Sequence, residues 1–104
     1  MKNLNISNEL LSNVLYMEVH SNSLAFDNII FECSLPLEQK VSLYKFAFLC
    51  KEWALTKGYF IYSTHELSFI KSLSLETVET FANGKDTEID CIIKACEWIL
   101  KERI

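Results

Sequence analysis

Two segments that share a Glu-Trp pair constrain this chain most, because both are predicted to be helices with more apolar surface than one small sheet covers. They are KEWALTKG at residues 51–58 and CEWILKE at residues 96–102 of a 104-residue chain. Chains of this length usually have a single core, so residues 1–104 are expected to form one domain. That one core must accommodate both helices.

The middle helix is predicted to run from Glu38 to Lys57 and to be apolar on two faces. At about 100° per residue, one broad face gathers the side chains of Leu43, Phe46, Ala47, Cys50, Trp53 and Ala54. A second apolar strip contains Val41, Tyr44, Phe48 and Leu55. A helix lying on a sheet needs only one apolar face, so the second strip is expected to meet another helix or a second chain.

The last helix is predicted over residues 88–102, with Asp86 or Thr87 as its cap. Its apolar stripe consists of Ile89, Ile92, Ile93, Cys96, Ile99 and Leu100, flanked by Cys91, Ala95 and Trp98. Its polar edge consists of Asp90, Lys94, Glu97 and Lys101. Glu52 and Glu97, the carboxylates of the two Glu-Trp pairs, are therefore interpreted as solvated surface charges and not as an acid–base pair.

One proline and two glycines mark the boundaries between the predicted elements. Pro36 precedes the middle helix, and Gly58 is expected to end that helix in a left-handed conformation. Gly84 forms a predicted turn with the asparagine before it. At the other end of the chain, a short helix is predicted over residues 7–14, with Ser7 as its N-cap.

Extended segments are predicted between the helices. Residues 16–20 and 24–33 form a predicted hairpin, with HSNS at residues 20–23 as its turn and Asp27-Asn28 as a second site of irregularity. YFIYST at residues 59–64 predicts another strand, and residues 68–81 predict either one further strand or two. The order is α-β-β-α-β-β-α, which indicates an α+β fold with the helices packed on one face of an antiparallel sheet and a weak ββα repeat.

Composition argues against several classes of function. The net charge is −4 and the ten Lys and Arg residues form no cluster, so we expect no nucleic acid partner. Two glycines are too few for a phosphate-binding loop, and no cofactor is expected. The longest apolar run, residues 46–50, is far too short to cross a membrane, and the polar start MKNLNISNELL is unlike a signal peptide. These features predict a cytoplasmic protein without a membrane partner.

The four cysteines, Cys33, Cys50, Cys91 and Cys96, are expected to be free thiols in a reducing compartment. Cys91 and Cys96 are five residues apart and cannot chelate one metal ion from a helix, and His20 and His65 are isolated, so no metal site is predicted. Cys33 is the thiol expected to be accessible. A nucleophile formed by Cys33 with His20 across the first hairpin is the weaker hypothesis of a cysteine-dependent enzyme.

Three segments, NELLSNVL, LYKFAFLCKEWALTKGY and DTEIDCIIKACEWILKE, together resemble small uncharacterised proteins encoded by prophages and other mobile elements of Campylobacter-like and Helicobacter-like bacteria. The resemblance covers most of the chain and is most specific at the two Trp segments. That family has no assigned activity or catalytic residues. The resemblance therefore implies a phage or mobile-element setting and assigns no role to any residue.

These observations favour a non-enzymatic protein–protein interaction module that forms a homodimer. The predicted interface consists of Val41, Tyr44, Phe48, Leu55 and Trp98. An alternative is an acidic inhibitor that covers a basic nucleic-acid-binding or defence protein of the host, as anti-restriction and anti-CRISPR proteins do. No catalytic, cofactor-binding or metal-binding residue is assigned.

Overall fold

The computed structural model describes residues 5–33, 38–63, 67–72, 77–82 and 88–102. Its elements are α1 (Asn8–Leu15), β1 (Val19–Ala25), β2 (Asn28–Cys33), β3 (Gln39–Ser42), α2 (Leu43–Thr56), β4 (Tyr59–Ser63), β5 (Leu67–Ser72), β6 (Thr77–Ala82) and α3 (Glu88–Glu102). Two antiparallel sheets have the orders β1-β2-β3 and β4-β5-β6. The α+β class is confirmed. Each predicted pair of strands gains a third, so that α1 is followed by two βββα units.

The first helix begins as predicted. The Ser7 hydroxyl accepts a hydrogen bond of 3.0 Å from the Leu10 amide, which satisfies one of the free N–H groups at the start of α1. The helix ends at Tyr16, whose φ of 56° is left-handed and whose amide donates to the Ser12 carbonyl. Leu10 and Leu11 are fully buried, so α1 contributes to the core.

The first hairpin turns at Phe26 and Asp27, and the predicted turn at residues 20–23 is wrong. These polar residues lie instead within β1, an edge strand whose side chains are largely exposed. The side-chain amide nitrogen (Nδ2) of Asn22 donates to the Ile6 carbonyl at 2.9 Å and to Asn8 Oδ1 at 2.7 Å. The polar run therefore connects the edge strand to the start of α1.

The middle helix begins at Leu43, five residues later than predicted, because β3 pairs with β2 and places Val41 opposite Ile29. Ser42 is its N-cap, and the Ser42 hydroxyl accepts a hydrogen bond of 3.1 Å from the Lys45 amide. The predicted glycine stop is confirmed, since Gly58 has φ of 89°. Pro36 lies outside the described residues.

The stretch at residues 68–81, predicted as one strand or two, forms two antiparallel strands, β5 and β6. α3 spans the predicted residues 88–102. The predicted turn at Gly84 and the predicted caps Asp86 and Thr87 lie outside the described residues.

A single core forms where α2 packs against α3, with α1 and α2 next to the first sheet and α2 and α3 next to the second. Its largest fully buried side chains are Phe46, Leu10, Leu11, Ile29, Leu43, Ile70, Ile93 and Ile99. Asp90, predicted on the polar edge of α3, is 5% exposed. Because α3 contacts α1, α2 and all three strands of the second sheet, little of its circumference reaches solvent.

Candidate interaction surface

One side of α2 buries its large side chains, and another side exposes them. Phe46 and Cys50 are fully buried, whereas Tyr44, Phe48 and Leu55 are 64%, 63% and 46% exposed. At 3.6 residues per turn the three exposed residues occupy an arc of about 40°. We call Tyr44, Phe48 and Leu55 the exposed stripe.

The other two residues of the predicted interface lie elsewhere. Val41 belongs to β3 and is partly buried against the core. Trp98 on α3 is also partly buried against the core, and its ring meets that of Tyr59 edge to face at 6.1 Å. Part of each side chain is therefore already packed within its own fold, and within the described helices Asn8–Leu15, Leu43–Thr56 and Glu88–Glu102 the exposed large apolar side chains are those of the exposed stripe.

A fourth large apolar side chain, which sequence reasoning missed, lies near the start of α2. Phe26 at the tip of the first hairpin is 98% exposed and has φ of 58°. The carbonyl of Asp27 accepts a hydrogen bond of 2.8 Å from the Leu43 amide, which holds this tip at the amino end of α2. In the sequence Phe26 stands beside Asp-Asn, a dipeptide typical of turns, and this dipeptide is the signal that indicates an exposed aromatic residue at a turn.

An open cleft of about 260 Å³ lies between the end of α1 and the carboxyl end of α2. It is lined by Ser12, Asn13, Tyr16, Trp53, Thr56 and Lys57. Lys57 Nζ lies 5.9 Å from the centre of the Trp53 ring. The lining residues include hydroxyl groups and one ammonium group but no carboxylate, histidine or thiol.

All four cysteines are free, as expected, and all four are buried. The prediction that Cys33 is accessible is therefore wrong, because Cys33 pairs with Val19 on the inner face of the first sheet. Burial, then the hydrogen bond to Cys96 and the nearby charges of Cys96 and Glu97, raise the pKa of the Cys50 thiol. A protonated, buried thiol is a poor nucleophile.

The proposed pair of Cys33 with His20 does not form. His20 lies in the irregularity between Val19 and Ser21, and its side chain is exposed while that of Cys33 is buried. An exposed imidazole and a buried thiol do not form a nucleophile–base pair. His65 lies outside the described residues.

The two Glu-Trp carboxylates differ. Glu52 is exposed, in agreement with its interpretation as a solvated charge. Glu97 is partly buried and accepts two hydrogen bonds from Ser7, one from the amide at 2.8 Å and one from the hydroxyl at 2.7 Å. The interpretation of Glu97 as a simple solvated charge is wrong, because its carboxylate joins α3 to the amino end of α1, where a negative charge is favoured.

Within the described ranges, no three residues of the types His, Cys, Asp or Glu are grouped as a metal site requires. None of the described helices is both long and apolar enough to span a membrane. Comparison with models of known protein families, with curated proteins and with solved structures gives no match. The resemblance to prophage-encoded proteins therefore stays a prediction.

Proposed function

We propose that the protein is a non-enzymatic interaction module that acts as a homodimer through α2. The exposed stripe is the observation that carries this proposal. Burying a large apolar side chain is worth about 1.5–3 kcal/mol, so leaving three of them in water on one helix is costly unless a partner covers them. Contiguous exposed apolar surface of this kind is typical of protein–protein contacts.

The proposed setting is the cytoplasm of a bacterium that carries a prophage or other mobile element. The resemblance of the two Trp segments supports the mobile-element setting. The four reduced, buried thiols are compatible with a reducing compartment.

The dimer is tested by sedimentation velocity over a range of protein concentrations. We expect a reversible dimer that Phe48→Lys converts to a monomer, because the substitution places a second ammonium group beside Lys51 in the apolar contact. Tyr62→Lys is the matched control, since Tyr62 is 44% exposed but lies on β4. A wild-type chain that stays monomeric up to several hundred micromolar contradicts the proposal.

A second candidate is an acidic inhibitor of a basic host protein. It is favoured by the charges around the first sheet, where Glu18, Asp27, Glu32 and Glu38 are all exposed and Lys40 is the one lysine between residues 17 and 42. Such a surface is complementary to a basic patch. This candidate predicts salt-sensitive capture of a basic nucleic-acid-binding protein from host lysate, which Phe48→Lys leaves unchanged and Glu18→Lys with Glu32→Lys abolishes.

A further inference from the structure

The exposed stripe has the spacing of a coiled-coil seam. Tyr44, Phe48, Lys51 and Leu55 follow one another at intervals of four, three and four residues, the spacing of alternating d and a positions in a heptad repeat. Lys51, which is partly buried, occupies the position between Phe48 and Leu55. The next position toward the amino end of the repeat is Val41. This spacing matches a second helix laid along α2.

The stripe is complementary to itself when the second helix runs in the opposite direction. In antiparallel pairing, a positions of one helix pack against d positions of the other, so Tyr44 meets Leu55 of the second copy. Phe48 then meets Lys51 of the second copy, where the ammonium group gains a favourable position on the face of the ring. Both contacts occur twice about a two-fold axis that passes between residues 49 and 50.

The charges beside the stripe match the same arrangement. Lys45 and Glu52 are both exposed and follow the two d positions directly, which makes them e positions. In antiparallel pairing, e positions of the two helices are adjacent, so Lys45 of each copy faces Glu52 of the other. Charged residues at these positions set the orientation of paired helices. The wild-type chain thus supplies two opposite-charge pairs for each dimer.

Parallel pairing of the same helices is unfavourable. It places every residue of the stripe opposite itself, so Lys51 of one copy faces Lys51 of the other inside an apolar seam. Burying two like charges together carries the full cost of desolvation without any compensating attraction. The charge pattern therefore selects a second copy in the antiparallel orientation.

The dipole of α2 does not account for the positions of these two charges. A helix favours acidic residues in its first turn and basic residues in its last. α2 has no acidic residue in its first turn and no basic residue in its last, and Lys45 in the first turn opposes the dipole. A role between chains accounts for a basic residue near the amino end and an acidic residue nearer the carboxyl end.

We propose that the second copy docks along α2 in the antiparallel orientation, with Lys45 of each chain paired to Glu52 of the other. This inference rests on the proposed function and names the geometry of its interface. The three apolar side chains of the stripe offer on the order of 300–400 Å² per copy. A standard interface has about 800 Å² per partner. The expected dimer is therefore weak and responds measurably to its charge pairs.

The test compares the dimer dissociation constants of the wild type, Lys45→Glu, Glu52→Lys and the double variant by sedimentation at 50 mM and 1 M salt. Each single reversal turns both attractive pairs into repulsive ones and is expected to raise Kd by about five- to fiftyfold at low salt. The double variant restores opposite charges and is expected within about twofold of the wild type. At 1 M salt these differences are expected to shrink.

The outcomes separate this inference from the proposed function. If the wild type is monomeric, or if Phe48→Lys leaves its dimer intact, the proposed interface itself is wrong. If Phe48→Lys dissociates the dimer but both single reversals leave Kd unchanged, the dimer stands and the antiparallel orientation is overturned. Additive weakening in the double variant also overturns it, because the two charges then contact something other than each other. Circular dichroism of each variant confirms that it is folded.

Discussion

The two Trp helices contain the same Glu-Trp pair but differ in their terminal charges and in how much of their apolar surface the chain itself covers. α3 has acidic Glu88 and Asp90 in its first turn and basic Lys101 in its last, and its large apolar side chains are buried or partly buried. α2 has no acidic residue in its first turn, where Lys45 opposes the dipole, and it exposes Tyr44 and Phe48. The helix that is surrounded by its own chain has the pattern expected from folding alone. The departures in α2 therefore point to a requirement outside the monomer.

The largest expected effect on stability distinguishes the buried face of α2 from its exposed face. Phe46→Ala removes a fully buried ring and is expected to lower the free energy of unfolding by about 3–5 kcal/mol. Phe48→Ala, two residues later, is expected to change the stability of the monomer by less than about 0.5 kcal/mol. Urea denaturation at a concentration well below Kd measures both. Similar losses for the two variants contradict the assignment of an inner and an outer face.

The next largest expected effect on stability distinguishes the Glu97 carboxylate from that of Glu52. Glu97→Ala leaves the amide and hydroxyl of Ser7 without their acceptor and is expected to cost about 1–2 kcal/mol of stability. Glu52→Ala removes an exposed carboxylate and is expected to cost less than about 0.5 kcal/mol in the monomer. Thermal unfolding of dilute protein compares the two. An equal change in melting temperature in both variants shows that the Ser7–Glu97 contact contributes nothing to stability.

A smaller effect of opposite sign is expected at the hairpin tip. Phe26 has a left-handed backbone, which costs a residue of this type about 1–2 kcal/mol, whereas asparagine tolerates that conformation. Phe26→Asn is expected to raise the free energy of unfolding by about 1 kcal/mol. Phe48→Asn on α2 is the control, since that position has no such strain to relieve. Destabilisation by Phe26→Asn shows instead that the ring contributes to the fold of the monomer.

The smallest expected effect tests the helix dipole directly. At protein concentrations well below Kd, Lys45→Glu is expected to stabilise the fold of the monomer by about 0.3–1 kcal/mol, because it places an acidic group in the first turn of α2. Lys101→Glu under the same conditions is expected to destabilise it by a similar amount, because the last turn of α3 favours a cation. Chemical denaturation at low salt checks both signs. Changes of the same sign in the free energy of unfolding of both variants contradict the inferred difference in dipole matching between α2 and α3.

The sequence predicted best those elements whose pattern is local. α3 has a clear apolar stripe, and its predicted bounds agree with the structure. The start of α2 was missed because Gln39–Ser42 continues the helical pattern of apolar residues, and only its pairing with β2 makes it a strand. The sequence favours HSNS, which has more turn-forming residues, as the turn and Asp27-Asn28 only as a second irregularity, but contacts with the amino end of α1 hold HSNS in β1.

For the candidate site, periodicity identified the exposed stripe but did not separate it from residues that the fold covers. Tyr44, Phe48 and Leu55 are exposed as the second apolar strip implied, whereas Val41 and Trp98 pack partly against the core. Their burial depends on contacts with strands, such as the contact of the Trp98 ring with Tyr59 on β4, which helical periodicity does not reveal. Cys33 and Asp90 show the same limit, because a partner strand or helix decides whether a polar or reactive side chain reaches solvent.

The contact of Ser7 with Glu97 joins residues 90 positions apart in the chain. During synthesis on the ribosome, α1 emerges long before the carboxylate that accepts its first amide has been made. β1 and α2, which α1 also contacts, are made earlier, but the contacts of α1 with α3 form only after α3 has been translated. The amino end of α1 is therefore expected to be fixed late, and a chaperone that binds short apolar segments has its longest opportunity before then.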